Sequence, residues 1–278
     1  MQILDGKTLG KEIQEEIRLE VEKLSKKPHL AVILVGDNPA SKIYVNTKNK
    51  TCERLGINST VITLPENTTE DELKLKIKTL NEDSDVNAIL VQLPLPEHIN
   101  TANCIKEISP IKDVDGFTPE NLGAVICGKQ PYAYPCTPFG IITLLKRNNI
   151  EISGKHAVVI GRSNIVGKPL SLMLLKENAT VTMCHSKTKN LKEITKTADI
   201  LVSATGNRII TKDMVKKDAI VIDVGIIRNK EGKLEGDVYF DEVKEVASYI
   251  TPVPGGVGPM TIAALMKNTF ELFLMQNK

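Results

Sequence analysis

Short apolar runs alternate with amphipathic stretches along most of this chain, and this alternation limits the folds that it can adopt. Residues 30–35 form a continuous apolar run that is too short for a helix and is typical of a buried strand. Residues 7–26 place apolar side chains at three- and four-residue steps among Glu and Lys, which predicts an amphipathic helix. Strands and helices that alternate at this pace form crossover units around a parallel sheet. The sequence therefore predicts an α/β fold.

The alternation occurs in two series. The first predicts strands at residues 30–35, 60–64 and 86–91 and helices at 7–26, 41–55 and 69–80; the second predicts strands at 157–160, 179–184, 199–204 and 219–224 and helices at 140–149 and 170–175. Between them, residues 94–138 are rich in Pro and Gly and lack periodicity, which is typical of functional loops or interdomain connections. A length of 278 residues also suits two domains. We predict two α/β domains with a boundary near residues 138–150, and a final helix at 261–275 that the pattern does not assign to either.

The composition restricts the partners. With 36 basic and 34 acidic residues the net charge is +2, and no basic block that would bind a nucleic-acid backbone is present. The N-terminus resembles no targeting signal and no apolar run approaches the roughly 18 residues of a membrane span, so we expect a cytoplasmic protein without membrane contact. Cysteines and histidines are scattered and predict neither disulfides nor a metal site. The expected ligands are small molecules.

A glycine-bounded turn joins the strand at 157–160 to a helix and predicts a nucleotide site. Gly161 and Gly167 flank the turn, where glycine permits the close approach of a pyrophosphate to the helix N-terminus. The alternative is a turn with a purely structural role. Small residues also follow the next strands, at 204–206 and 224–226, which suits a flat cofactor or simple turns.

The side chains near this turn favour NADP over NAD. Arg162, Ser163 and Ser186 supply a cation and hydroxyls, while residues 184–188 contain no acid that would bind a free ribose 2′-hydroxyl. An arginine is suited to a 2′-phosphate. The alternative is that Arg162 is a solvated charge and Ser186 a helix cap.

Three polar residues share one face of the helix at 41–55. Ser41, Tyr44 and Lys48 stand at i, i+3 and i+7, so that they project within one arc. They indicate either the wall of a site or a solvated face with a snorkelling lysine.

Polar residues also follow the strand at 86–91. Gln92 comes directly after it, and Asp113 and Asp115 lie in a glycine-terminated loop. Strand ends are where open α/β sheets bind ligands, although Gln92 could cap the strand and the aspartates could form an Asx-turn. The loop at 252–259 consists mostly of Gly and Pro, which predicts a backbone held in one special shape near a ligand.

Taken together, these segments resemble the bifunctional methylenetetrahydrofolate dehydrogenase / methenyltetrahydrofolate cyclohydrolase family over essentially the whole chain. The motifs that carry the resemblance are Tyr44-x-x-x-Lys48, Val91-Gln-Leu-Pro-Leu-Pro96, Lys112-Asp-Val-Asp-Gly116, Pro135-Cys-Thr-Pro138, Gly161-Arg-Ser-x-Ile-Val-Gly-x-Pro169, Cys184-His-Ser-Lys-Thr188 and Pro252-Val-Pro-Gly-Gly-Val-Gly-Pro-Met-Thr261.

The resemblance implies a catalytic three-layer lobe (1–139 plus 261–278, with the final helix returning to it) and a Rossmann-like NADP-binding lobe (140–260), with folate in the cleft between them, in a homodimer. It implies that Lys48 is the catalytic lysine, that Gln92 orients it, that Tyr44 stacks on the folate and that Asp115 binds the pterin. The implied substrate-binding residues are Ser41, Tyr44, Gln92, Leu93, Asp115, Pro254, Gly255 and Gly256. The implied cofactor-binding residues are Gly161, Arg162, Ser163, Ile165, Val166, Gly167, His185, Ser186, Thr205, Gly206, Gly225 and Ile226.

The implied activity is NADP-dependent oxidation of 5,10-methylenetetrahydrofolate followed by hydrolysis to 10-formyltetrahydrofolate. The alternatives are a dehydrogenase-only relative, a catalytically silent NADP-binding regulatory module and, from the second series alone, an NADP reductase of small carbonyls. The presence of Lys48 argues against the first alternative, and Lys48, Gln92 and Asp115 alongside the cofactor loop argue against the second. The motifs of the first series argue against the third.

Overall fold

The computed structural model describes residues 1–229 and 231–277 and has the predicted α/β class, in which helices alternate with mainly parallel strands. The strands are β1 (Gln2–Ile3), β2 (His29–Val35), β3 (Asn58–Leu64), β4 (Ala88–Val91), β5 (His156–Ile160), β6 (Thr180–Cys184), β7 (Ile200–Ser203), β8 (Ile220–Asp223), β9 (Ile227–Arg228), β10 (Leu234–Glu235) and β11 (Tyr249–Ile250). The helices are α1 (Gly6–Glu22), α2 (Pro39–Leu55), α3 (Glu70–Glu82), α4 (Thr101–Ile105), α5 (Pro119–Ile126), α6 (Cys136–Arg147), α7 (Gly167–Lys176), α8 (Leu191–Thr195), α9 (Phe240–Val243) and α10 (Val257–Gln276), with a 3₁₀ turn at Lys212–Met214.

The first of two compact units, which we call the three-stranded unit, comprises Glu12–Cys136 and the chain from Leu265 onward. Its sheet has the order β3-β2-β4 and is entirely parallel. The apolar run of β2 is buried at the centre of the sheet, whereas edge strand β3 has no buried residue. Apolar side chains of α3 pack on β2 and β4 in one core cluster, which accounts for its predicted amphipathic pattern.

Residues 94–138 are only partly the loops that the sequence predicts. They contain α4 and α5 as well as the loop of Asp113 and Asp115, and the stretch as far as Cys136 belongs to the three-stranded unit. The helices have 5 and 8 residues, too few to show a clear period. Within this stretch the buried Lys112 ammonium donates hydrogen bonds of 2.7–3.1 Å to three carbonyls at the end of α3, so this lysine of the Lys112-Asp-Val-Asp-Gly116 motif has a structural role.

The second unit, which we call the six-stranded unit, comprises Met1–Lys11 and Thr137–Ala264. Its sheet has the order β1-β11-β8-β7-β5-β6 and is also parallel. The chain passes from β5 to β6 on one side and later to β7 on the other, so the strand order reverses at β5. In open α/β sheets this switch point is where ligands bind.

The first residues of the chain differ from the predicted division. β1 pairs with β11, so residues 1–11 belong to the six-stranded unit, whereas the family resemblance predicts that they belong to the folate-binding lobe. A two-residue strand has no periodicity that a sequence pattern could reveal.

α10 has 20 residues, yet neither it nor any other described helix combines the length and apolar character that crossing a bilayer requires. No group of His, Cys, Asp and Glu within residues 1–229 and 231–277 is arranged to hold a metal ion.

Candidate functional site

Helix α2 presents the three polar residues predicted from their spacing. It begins after Asn38, whose side chain accepts two backbone N–H bonds of the first turn at 3.0 and 3.1 Å, and it ends at Gly56 in the left-handed conformation, with φ 70°. Asn38 is a standard N-cap and Gly56 a standard C-cap. The helix covers Ser41, Tyr44 and Lys48 without interruption, so all three project from one side.

These three residues have different environments. Ser41 is buried, and its hydroxyl has no hydrogen-bond partner among the described residues. Tyr44 is 41% exposed, which leaves its ring available for stacking. Lys48 is half-buried and bonded to another side chain, so it does not behave as a freely solvated lysine.

Lys48 and Gln92 form the central contact of the three-stranded unit. The Gln92 N–H donates to Ile33 O at 2.9 Å, which extends the pairing of β4 with β2 and fixes the residue at the strand end. Lys48 Nζ donates to Gln92 Oε1 at 2.9 Å, and Gln92 Nε2 donates to Leu93 O at 2.7 Å. The second bond orients the amide so that its oxygen faces the amine.

The two aspartates of the loop have separate roles. Asp113 is buried, and its Oδ2 accepts from Thr118 N at 2.7 Å and Asn121 Nδ2 at 3.0 Å, so it holds the start of α5. Asp115 is half-buried. Burial raises the pKa of its carboxyl above the ordinary value, while nearby Lys48 opposes this shift and Asp113 adds to it. Asp115 therefore interacts electrostatically with the lysine.

Sequence reasoning missed two residues beside Asp115. The buried Cys136 thiol donates to Val114 O at 3.4 Å, and burial raises its pKa well above the ordinary value. Asn268 of α10 donates to Val114 O at 2.9 Å and Tyr134 O at 2.8 Å. The signal available in the sequence was the amide of Asn268 in a largely apolar helix. A buried amide needs hydrogen-bond partners, so this residue was a candidate for a structural role.

In the six-stranded unit, the turn after β5 is as tight as the glycines predict. Gly161 has φ +124° and donates to Cys184 O at 2.9 Å. A Cβ at Gly167 would overlap the Gly161 carbonyl oxygen, so α7 starts directly over the strand end. Ser163 Oγ accepts from Val166 N at 3.1 Å and Gly167 N at 3.4 Å, which makes it a local cap.

Arg162 and Ser186 are exposed and form no hydrogen bond or ion pair with residues 1–229 and 231–277. The turn after β6 is held instead by His185 N, which donates to Thr188 Oγ1 at 2.8 Å. The alternative of Ser186 as a helix cap is wrong, because α8 begins after Asn190. Both side chains are available to a ligand.

The remaining predicted cofactor residues lie in the same unit: Ile165 and Val166 in the turn before α7, Thr205 and Gly206 after β7, and Gly225 and Ile226 after β8. Two buried carboxyls, which no sequence motif indicates, hold these last loops. Asp223 ends β8, and burial raises its pKa to about 6. Asp237 is 0% exposed and accepts three hydrogen bonds from Ser203 and Thr205. The glycine before Asp237 was the only local signal.

The predicted substrate residues Pro254, Gly255 and Gly256 belong to the six-stranded unit, whereas the other predicted substrate residues belong to the three-stranded unit. Their loop has a special backbone, since the bond before Pro254 is cis and Gly255 has φ +112°. Gly255 O accepts from Lys7 N at 2.9 Å, and a Cβ at Gly6 would overlap the Gly256 carbonyl oxygen. The start of α1 therefore holds this loop.

Comparisons with known proteins cover both units. Residues 4–115 match the model of the tetrahydrofolate dehydrogenase/cyclohydrolase catalytic domain, and residues 135–277 match that of the tetrahydrofolate dehydrogenase/cyclohydrolase NAD(P)-binding domain. The chain is 57% identical over 277 residues to the bifunctional protein FolD of Caldicellulosiruptor saccharolyticus, covering 97% of this chain and 99% of that protein.

Solved structures agree. The bifunctional FolD methylenetetrahydrofolate dehydrogenase/cyclohydrolase of Campylobacter jejuni is 51% identical with a TM-score of 0.96, covering 98% of each chain. The Trypanosoma brucei methylenetetrahydrofolate dehydrogenase-cyclohydrolase complexed with NADP cofactor and inhibitor is 37% identical with a TM-score of 0.95, covering 99% of this chain and 98% of that one.

Proposed function

We infer the chemistry of this chain from the premise that it belongs to the tetrahydrofolate dehydrogenase/cyclohydrolase family. It is a bifunctional enzyme of one-carbon folate metabolism. It oxidises 5,10-methylenetetrahydrofolate to 5,10-methenyltetrahydrofolate with NADP, and it hydrolyses the methenyl compound to 10-formyltetrahydrofolate.

One observation carries the assignment of the catalytic residues: Lys48 Nζ is held by the amide oxygen of Gln92 at 2.9 Å, with Asp115 close enough for the two charges to interact. A lysine, a neutral amide and a carboxylate that converge at a strand end suit the transfer of protons to and from a bound substrate. We assign Lys48 as the catalytic group, Gln92 as its partner, Asp115 and Tyr44 as ligands of the pterin and ring system, and Ser41 and Leu93 as lining residues.

The residues of the six-stranded unit fit NADP. A Cβ at Gly167 would overlap the Gly161 carbonyl oxygen, so glycine lets the N-terminus of α7 lie directly against the end of β5, and a helix N-terminus favours phosphate. We call the turn from Gly161 to Gly167 the cradle. Arg162 and Ser186 are exposed without partners in the described chain, and the β6 turn has no acid that would repel a 2′-phosphate. We propose that these two side chains hold that phosphate.

In the first reaction, the protein has to orient the substrate and the cofactor and does not have to transfer protons. Bound NADP⁺ supplies the acceptor for a hydride from the methylene carbon. Tyr44 would stack on the folate and Asp115 would accept hydrogen bonds from the pterin, and together they fix where the methylene carbon lies. No general base is needed, so this step depends on positioning.

The second reaction does need proton transfer. Water adds to the methenyl carbon, loses a proton and leaves a tetrahedral adduct, and one C–N bond then breaks as its nitrogen gains a proton. Lys48 is the group proposed to move these protons, because its amine is fixed by Gln92 without an added charge. We propose that the carboxyl of Asp115 binds the pterin, since the bonds that hold the start of α5 go to Asp113 and Thr118.

We also propose a homodimer that forms in a reducing, cytoplasmic compartment. Strand β3 is the edge of its sheet and has no buried residue, with Val61 40% exposed. An edge strand of this length is suited to pairing with a second copy. All five cysteines are free, as expected for a reducing compartment.

A paired assay tests the function. Purified protein is incubated with 5,10-methylenetetrahydrofolate and either NADP⁺ or NAD⁺, and reduced cofactor and methenyl-folate are followed together; hydrolysis of methenyl-folate is measured separately. We expect both activities and a preference for NADP⁺. Oxidation without hydrolysis would indicate a dehydrogenase-only enzyme, and binding of NADP⁺ without turnover would indicate a regulatory module.

A further inference from the structure

Two carboxyl groups lie buried at the ends of β7 and β8, outside the residues assigned above. Ser203 and Asp223 are register neighbours at those ends, and Asp237 comes from the segment after β10. Asp223 and Asp237 are 3% and 0% exposed. Buried carboxyls are costly unless hydrogen bonds compensate, so each should hold surrounding groups in place.

Asp237 makes all its side-chain bonds through one oxygen. Its Oδ2 accepts from Ser203 Oγ at 2.7 Å, from Thr205 N at 2.7 Å and from Thr205 Oγ1 at 2.9 Å. Its Oδ1 has no hydrogen-bond partner among the described residues and faces Gly225 so closely that a Cβ there would overlap it. One side chain therefore fixes the loop after β7 and limits the loop after β8.

Asp223 completes the arrangement through the backbone. Its Oδ1 accepts from the N–H groups of Gly225 and Asp237 at 2.9 Å each, and its Oδ2 accepts from Val238 N at 2.9 Å. It thus holds Gly225 and also the segment that carries Asp237. The two loops are joined through a pair of carboxyls rather than independently formed.

These loops matter because of their place on the sheet. Arg162 and Ser186, which we assign to the 2′-phosphate, follow β5 and β6. A dinucleotide crosses the switch point of such a sheet, so its nicotinamide end extends over β7 and β8. We propose that Asp237 is a positioning residue, which shapes the loops at Thr205 and Gly225 to receive the nicotinamide end of NADP. This inference rests on the proposed function.

The single-sided bonding of Asp237 makes the test specific. In Asp237→Asn, the amide oxygen can replace Oδ2 and accept all three bonds, while the NH₂ group takes the side without donors. In Asp237→Ala, all three bonds are lost. We expect part of this lost bonding to appear as weaker cofactor binding.

The experiment measures NADP⁺ binding by calorimetry, the KM for NADP⁺ and kcat of the dehydrogenase, and hydrolysis of methenyl-folate without cofactor. For Asp237→Ala we expect about a tenfold rise in Kd and KM for NADP⁺, with hydrolysis within about twofold of wild type. Asp237→Asn should stay within about threefold for all constants. Asp241→Asn is the matched control, since Asp241 is an exposed acid of the same unit paired with Lys244, and it should change nothing.

If Asp237→Ala does not fold, Ser203→Ala removes one of the three bonds and should raise the KM for NADP⁺ by about threefold. The proposal is overturned if Asp237→Ala binds NADP⁺ like wild type, if it loses hydrolysis as much as NADP⁺ binding, or if it does not fold and Ser203→Ala leaves the KM unchanged. Failure of the proposed function is distinguishable, because wild type would then bind NADP⁺ without oxidising methylene-folate.

Discussion

The site around Lys48 and the cradle around Gly161 differ in what they are made of. The first consists of side chains bonded to one another, with Gln92 buried and Lys48 half-buried. The second consists of backbone packed at van der Waals limits between Gly161 and Gly167, with Arg162 exposed beside it. Changes in the first should therefore remove a chemical step, and changes in the second should alter affinity and selectivity.

The largest effect is expected for Lys48→Met, which keeps the length and apolar stem of the side chain and removes the amine. Hydrolysis of methenyl-folate should fall by about 10²–10⁴-fold, the usual contribution of general acid–base catalysis, while NADP⁺-dependent oxidation remains measurable because it needs no base. The measurement follows accumulation of methenyl-folate with NADP⁺.

The matched control is Lys50→Met, which removes an exposed lysine from the same helix and should leave both rates unchanged. An unimpaired hydrolysis rate in Lys48→Met would remove this lysine from the mechanism. Equal loss of both activities would mean that the lysine site contributes to oxidation as much as to hydrolysis.

A smaller effect is expected for Arg162→Ala in the cradle. Because Arg162 has no partner in the described chain, its removal breaks no internal contact, and the loss should fall on the 2′-phosphate alone. The KM for NADP⁺ should rise by about 10–100-fold, the equivalent of one charged contact, and that for NAD⁺ should rise far less.

Lys168→Ala provides the comparison here, since it removes an exposed cation at the start of α7, one that is bonded to Asn164 at 2.7 Å. It should affect both cofactors slightly and equally. If Arg162→Ala weakens NADP⁺ and NAD⁺ by the same factor, Arg162 does not recognise the 2′-phosphate.

The smallest expected effect is on the pH dependence of the free energy of unfolding, and it arises from Asp223 in the six-stranded unit. Burial raises the pKa of Asp223 from 3.8 to about 6 in the folded protein, so the native state binds this proton more tightly than the unfolded state. The stabilisation of the folded state by the proton on Asp223 is complete below about pH 4 and is lost as the pH rises through about 6.

Across that range the free energy of unfolding of wild type should fall relative to Asp223→Asn by about 1 kcal/mol per pH unit. Denaturant unfolding from pH 4 to 8 measures this. The variant should be less stable throughout because one acceptor of a backbone N–H is lost, but only the slope tests the pKa. Parallel curves would mean that Asp223 is not protonated in this range.

The sequence predicted the fold best where side-chain periodicity is strong. The apolar run of β2 and the amphipathic pattern of α3 gave elements within two residues of those observed. β1 and β11 have two residues each, and such pairings depend on distant partners rather than on local pattern. α5, which begins where the Thr118 side chain accepts from Asn121 N at 3.4 Å, has 8 residues, too few to show a clear period among the prolines of its region.

For the site, spacing alone did not decide whether Lys48 lines a site or lies on a solvated helix face. Motif order predicts the site residues. The structure adds the bond between Lys48 and Gln92 and the bonds by which Asp113 holds the start of α5. Asp237 could not have been predicted, because its three donors come from residues 32 and 34 positions away. Only the folded chain brings a buried acid to those hydroxyls.

The interleaving of the chain has a consequence for its synthesis. The six-stranded unit ends at Ala264, whereas the three-stranded unit begins at Glu12 but also needs the chain from Leu265 onward, including the Asn268 amide that binds Val114 O and Tyr134 O. On the ribosome, the three-stranded unit, whose main segment Glu12–Cys136 is synthesised before the main segment of the six-stranded unit, is therefore completed last. A nascent chain that stops before Leu265 holds every residue of the nucleotide cradle but an unfinished lysine site, so cofactor binding can mature before hydrolysis does.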